Sequence, residues 1–175
     1  MEHDQLLISD LGSQRLEFRM VRPNDFEAWL PFYHDPTSTQ YWTGLPKDPK
    51  EACVQQFERI FERYEKGLGG MNALILKNTD ILVGLCGLLV QTVDAIEELE
   101  IGYSILPEYR CMGYAYEAAN HCKQYAKRYD LAKSLISIIH VDNVPSQRVA
   151  LKNGMTLSST TTYKNNPVHI FRLAL

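Results

Sequence analysis

Residues 100–115 read Glu100-Ile101-Gly102-Tyr103-Ser104-Ile105-Leu106-Pro107-Glu108-Tyr109-Arg110-Cys111-Met112-Gly113-Tyr114-Ala115. A strand runs from Glu98 to Leu106 and stops at Pro107. After the glycine turn, Gly113 to Tyr129 has the spacing of a helix, with Ala115, Ala118, Ala119, Cys122, Tyr125 and Ala126 facing inward. The unit is strand, turn, helix. A helix start leaves amide N–H groups without partners inside the helix and carries partial positive charge, so this turn is an anion site that suits a pyrophosphate. Gly113 allows a backbone conformation or a close approach that a Cβ would obstruct, Ala115 stays small, and Arg110 adds charge at the mouth. No Gly-Lys-Ser/Thr follows and no G-x-G-x-x-G is present, so the turn is neither a P-loop nor a dinucleotide fingerprint.

Upstream, Arg15 to Val21 alternates as a half-buried strand. Pro23-Asn24-Asp25 opens a short helix that ends near His34-Asp35-Pro36, and Thr37 to Lys47 is expected to be loop. Asp48-Pro49-Lys50-Glu51 starts a second helix, with Asp48 as cap and Gly67 as its stop. Strands from Asn72 to Lys77 and from Ile81 to Gln91 form a hairpin. Downstream, Leu135 to Val141 is a continuous β-rich run that suits a central strand. Ser146 to Asn153 is a short helix closed by Gly154, and two last strands turn at Asn165-Asn166-Pro167. The order β, α, α, βββ, α, β, α, ββ predicts an α/β (α+β) fold, a mixed sheet with helices on both faces and a central split.

The chain has 175 residues, which suits one domain over 1–175, and its 45% hydrophobic content supports a real core. A net charge of -3 and a pI near 5.9 argue against sequence-independent nucleic-acid binding. Met1-Glu2-His3-Asp4 is acidic, and Leu6-Leu7-Ile8 is too short for a secretory core. The longest apolar run, Ile81 to Val90, holds two glycines and reads as a buried strand, not a membrane span. Cys53, Cys86, Cys111 and Cys122 lack CxxC spacing, which predicts reduced thiols, no metal and a cytoplasmic location.

Three stretches, in order and at matching spacing, resemble the GNAT superfamily of N-acetyltransferases, in particular its RimJ/RimL-like branch that acetylates ribosomal-protein N-termini. They are Arg15-Leu16-Glu17-Phe18-Arg19 with Pro23 and Asp25; Glu100-Ile101-Gly102-Tyr103 with Arg110-x-x-Gly113-x-Ala115 and Glu117-Ala118; and Asn143-x-x-Ser146 with Ala150, Lys152 and Asn153-Gly154-Met155. The resemblance implies a centrally splayed sheet of six or seven strands and acetyl-CoA as donor. It places the pyrophosphate on the amides of Cys111, Met112, Gly113, Tyr114 and Ala115. Pantetheine would lie as an added strand against Ile105 and Leu106 at a bulge, with Asn143 and Ser146 contacting the cofactor. Asn143 also suits a plain helix cap.

The implied reaction is direct attack of a neutral amine on the thioester in a ternary complex. Glu100 is the candidate base, with Glu98 as its alternative, and a backbone amide at Ile105 or Leu106 polarises the carbonyl. Many members carry a tyrosine seven residues after the asparagine to protonate the thiolate. Here Ala150 stands there, which leaves Ser146, a water, or departure of the thiolate without a dedicated acid. The acceptor, a protein N-terminus or a small amine, would sit near Tyr33, His34, Tyr41 and Trp42 on a monomer or homodimer. If Ala150 marks a lost acid and Glu100 points away, the chain is instead a non-catalytic acyl-CoA-binding or regulatory domain.

Overall fold

A computed structural model describes residues 6–175. The acidic stretch Met1 to Asp4 lies outside them. Leu6 and Ile8 are core residues, and the buried Asn72 side chain donates to the Ile8 carbonyl at 2.9 Å.

Among the described residues, seven strands form one sheet in the order β1-β2-β3-β4-β5-β7-β6: β1 (Leu16–Met20), β2 (Gly69–Leu76), β3 (Leu82–Val93), β4 (Ile96–Ile105), β5 (Ser134–His140), β6 (Thr156–Tyr163) and β7 (Asn166–Ala174). Every pairing is antiparallel except β4 with β5. The parallel pair requires a crossover, which the fifth helix, α5 (Tyr114–Arg128), supplies. β3 is buried along nine consecutive residues because both its faces are covered. One face packs against Val21, Trp29, Phe57 and Ile60, the other against Ala118, Ala119, Cys122 and Ala126 of α5.

The helical segment after β1 is broken into α1 (Phe26–Trp29), α2 (Pro31–His34) and α3 (Pro36–Thr39), after a 3-10 turn at Pro23–Asp25. The start of the expected loop is thus helical. Pro31 and Pro36 each open a turn because proline supplies helical φ but no N–H, so each restarts the helix. α4 (Pro49–Glu65) starts at Asp48, which accepts from the Lys50 amide at 3.1 Å. α6 (Val144–Lys152) is capped by Asn143.

β4 and β5 pair at one position only, Glu100 with Ile136. Beyond it they part, while β3 and β4 stay in continuous register from Val93–Ile96 to Gly84–Ile105. The expected bulge in β4 is therefore replaced by a different device: β5 leaves, and β4 runs straight. The sheet is splayed at its centre, and the opening points toward the start of α5.

Candidate active site

α5 begins without a side-chain cap. Its cap residue is Gly113, at φ 83°, in the left-handed region. Cys111 also has positive φ, 60°. Left-handed residues in a tight turn aim successive amides into one concavity, which favours an anion. A Cβ at Gly113 would meet only the Arg15 guanidinium, at 3.4 Å, so the conformation and not crowding calls for glycine. Tyr114 is buried, Ala115 partly so, and Cys111 and Met112 are exposed.

Arg15 completes this turn, and sequence reasoning gave it no such role. Its Nε donates to Glu117 at 2.6 Å, its Nη1 to the Met112 carbonyl at 3.1 Å, and its guanidinium lies 4.5 Å above the Tyr114 ring. Glu117 also accepts from the Ser13 hydroxyl and the Arg15 amide, both at 2.7 Å. Burial alone would raise the Glu117 carboxyl, but these donors hold it below its ordinary value. A fixed cation thus stands beside the uncapped amides. Arg110 does not face them: its Nη1 donates to Asp35 at 2.9 Å and to Thr37 at 3.0 Å, and its Nε to the Ile105 carbonyl at 3.2 Å. Hydrogen bonds from Thr37, Ser38 and Arg110 hold the Asp35 carboxyl down to about 2. The Arg110 side chain is a latch between the α2–α3 turn and the end of β4, which corrects its expected place at the anion.

The backbone of the opening follows from strand parity. The Leu106 amide donates to the Val83 carbonyl at 3.0 Å, and the Leu106 carbonyl accepts from Tyr109 at 2.9 Å. Even-numbered residues here bond to β3, so odd-numbered ones turn their N–H and C=O toward β5. The Ile105 N–H therefore faces the opening. Leu106 is spent in the ladder, and its expected donation to pantetheine or an oxyanion is corrected on that ground.

Glu100 sits at the vertex, where the strands part. Its carboxylate accepts from Gln91 Nε2 at 2.7 Å, and the nearby Ile138 amide of β5 favours its charged form. Burial pushes this carboxyl above its ordinary value, against the pull of these two groups and of Arg63 and Lys164. Glu98, on the same face, is held in two contacts with Arg172 at 2.5 and 3.0 Å and is not free to act.

On the α5 face, the Tyr103 hydroxyl donates to the Ser146 carbonyl at 2.8 Å and accepts from Ser146 Oγ at 3.0 Å, across the opening. Burial raises the Tyr103 phenol. Asn143 Oδ1 accepts from the Ser146 amide at 3.2 Å, the plain cap role. Ala150 is buried against α5. Of the acceptor-side aromatics, Tyr33 is core, His34 is exposed, Trp42 lies at its rim, and Tyr41 stacks on His140 of β5 with ring centres 5.1 Å apart.

An uncapped helix start with a fixed arginine, continuous with a strand opening that presents an amide and a carboxylate, fits a pyrophosphate carrying a slender polar arm. Residues 15–156 match the sequence profile of the acetyltransferase (GNAT) domain.

The chain belongs to the GNAT acetyltransferase family.

It is an acetyl-CoA-dependent acetyltransferase. The acetyltransferase is 31% identical to YkkB of Bacillus subtilis (strain 168) over 164 residues, 92% of this chain and 93% of that one. Its fold matches an acetyltransferase from Agrobacterium tumefaciens str. C58 with a TM-score of 0.80 at 22% identity, covering 96% of this chain and 95% of the other. It also matches RimL, a ribosomal L7/L12 alpha-N-protein acetyltransferase solved with coenzyme A, with a TM-score of 0.72 at 15% identity over 93% and 96% of the chains. Among the described residues no helix of the acetyltransferase is long and apolar enough to cross a membrane, and no group of three or more His, Cys, Asp or Glu could hold a metal.

Proposed function

We propose that this chain moves the acetyl group of acetyl-CoA to a primary amine, on a protein N-terminus or a small molecule, by direct attack with both substrates bound. One observation carries the reading: Glu100 stands at the vertex of the same opening that the Ile105 N–H faces and that leads to the α5 amides. The relation to RimL in fold favours a protein N-terminus within that class. The free cysteines Cys53, Cys86, Cys111 and Cys122 suit a reducing, cytoplasmic setting.

Acetyl-CoA supplies an acyl group activated as a thioester. The amides from Cys111 to Ala115 and the Arg15 guanidinium hold its pyrophosphate. The Ile105 N–H stabilises negative charge developing on the carbonyl oxygen, which removal of one such donor elsewhere weakens about a hundredfold or more. Glu100 takes the proton that the attacking ammonium must lose, directly or through one water. Its raised affinity for protons brings it nearer to the pH at which it works. Ser146 Oγ, turned from Tyr103, is the donor assigned to the departing thiolate, in place of the side chain that Ala150 lacks.

The test is release of free thiol from acetyl-CoA over a panel of small amines and N-terminal peptides. Turnover on one class, lost by about a hundredfold or more in Glu100→Gln, supports the reading. Tight CoA binding with no turnover on any acceptor would overturn it in favour of an acyl-CoA-binding module.

A further inference from the structure

The hairpin of β6 and β7 lies at the far edge of the sheet, yet it reaches back to β3. Tyr163 donates from its hydroxyl to Gln91 Oε1 at 2.8 Å, and Thr161 donates to Asp94 at 3.0 Å. The C-terminal half of the sheet therefore curls over the acceptor face and roofs Glu100. Under that roof runs a chain of hydrogen bonds from Tyr163 to Gln91 to Glu100. Its polarity is set by chemistry. A carboxylate only accepts, so Gln91 must turn its NH2 to Glu100, which leaves its oxygen for a donor, and the Tyr163 phenol is one.

We propose that Gln91 and Tyr163 are positioning residues for the base: Tyr163 fixes the Gln91 amide, and the amide fixes the direction and proton affinity of the Glu100 carboxylate. This rests on Glu100 being the base. Gln91 is the side-chain donor bonded to the carboxylate at the vertex, and without it the oxygen now fixed by Gln91 can swing. The other groups that face Glu100 are Arg63 from α4, Lys164 in the turn after β6 and the Tyr163 phenol itself, while the Tyr103 phenol feels its charge from the other face of the sheet. Arg63 is tied to the Leu68 and Val90 carbonyls at 2.6 and 2.7 Å, and Glu98 is neutralised by Arg172. Gln91 is thus the neutral group through which the hairpin reaches the base. Because the hairpin is the roof, an acceptor that displaces Tyr163 also releases Gln91, and seating of the acceptor is felt at the carboxylate.

The experiment follows the Glu100 carboxyl by 13C NMR in protein labelled at glutamate carboxyls, with the resonance assigned by its loss in Glu100→Gln. Gln91→Leu keeps the size and removes the donor, and its titration midpoint should rise by about one pH unit. Tyr163→Phe removes only the outer link and should raise it by roughly a third as much. A midpoint unmoved in both variants would overturn the proposal. Tyr163→Phe leaves β3 untouched, so it carries the test even if Gln91→Leu does not fold. The acid limb of kcat/KM against pH, measured with an amine that turns over, should move with the midpoint. A midpoint that moves while that limb stays keeps Gln91 and Tyr163 as the holders of Glu100 and removes Glu100 as the base.

Discussion

Glu100 is a carboxylate that the fold disfavours. Burial raises its proton affinity above that of an exposed glutamate, so the folded state binds its proton more tightly than the unfolded chain does. Such a group favours folding where it is protonated, and that advantage is lost as pH rises through its folded-state value. Glu100→Gln removes the charge and keeps an acceptor oxygen for the Gln91 amide. The variant should have a higher Tm than the parent at neutral pH, with the gap closing as pH falls into the carboxylate range, while kcat drops by about a hundredfold or more. Thermal unfolding followed by circular dichroism over that pH range checks it. A glutamate kept only for stability would give the opposite sign.

At the scale of elements, the decisive part is the entry to α5. Gly113→Val forces a β-branched residue into a left-handed conformation, which costs about 1–2 kcal/mol. That is a fraction of the ~5–15 kcal/mol that holds such a domain together, so the fold should survive. The amides around the turn would be re-aimed, and calorimetry should show CoA affinity down by about tenfold or more, a 1.4 kcal/mol loss. Unchanged affinity would remove the turn from the site. This turn was legible in the chain because its signal is local: a strand that stops at Pro107, a glycine, then a helical stripe of alanines. The Asp48 and Asn143 caps were legible for the same reason. Arg110 was misread because its partners, Asp35, Thr37 and Ser38, lie more than seventy residues away. Arg15 and Glu117 were visible as a pattern without a role, since only the fold brings them together. Leu106 was misassigned through strand parity, which depends on register with β3 and cannot be read from β4 alone. Gln91 and Tyr163 carried no local signal, being polar residues at the ends of ordinary strands.

Across the whole molecule, the two halves of the sheet share one paired position, Glu100 with Ile136. Side-chain contacts also cross that line: Ser137 to the Ile101 carbonyl, Tyr103 with Ser146, Glu98 with Arg172, Tyr163 with Gln91, Thr161 with Asp94, and Tyr41 stacked on His140. A ligand arm laid in the opening would supply the missing ladder and bind the folded state alone. Stability should then grow with the logarithm of ligand concentration, by about 2.7 kcal/mol at a hundred times Kd. Hydrogen exchange should report it: the amides that face the opening, Ile105 of β4 and His140 of β5, should exchange faster than those of β3 in the free protein and slow markedly when CoA is added. Equal protection with and without CoA would show that the halves are already locked together. The single paired position also bears on turnover of the protein itself. Proteases cut the open forms of a protein, so cleavage by an added protease should slow when CoA occupies the seam, and the supply of donor would then bear on how long the enzyme lasts.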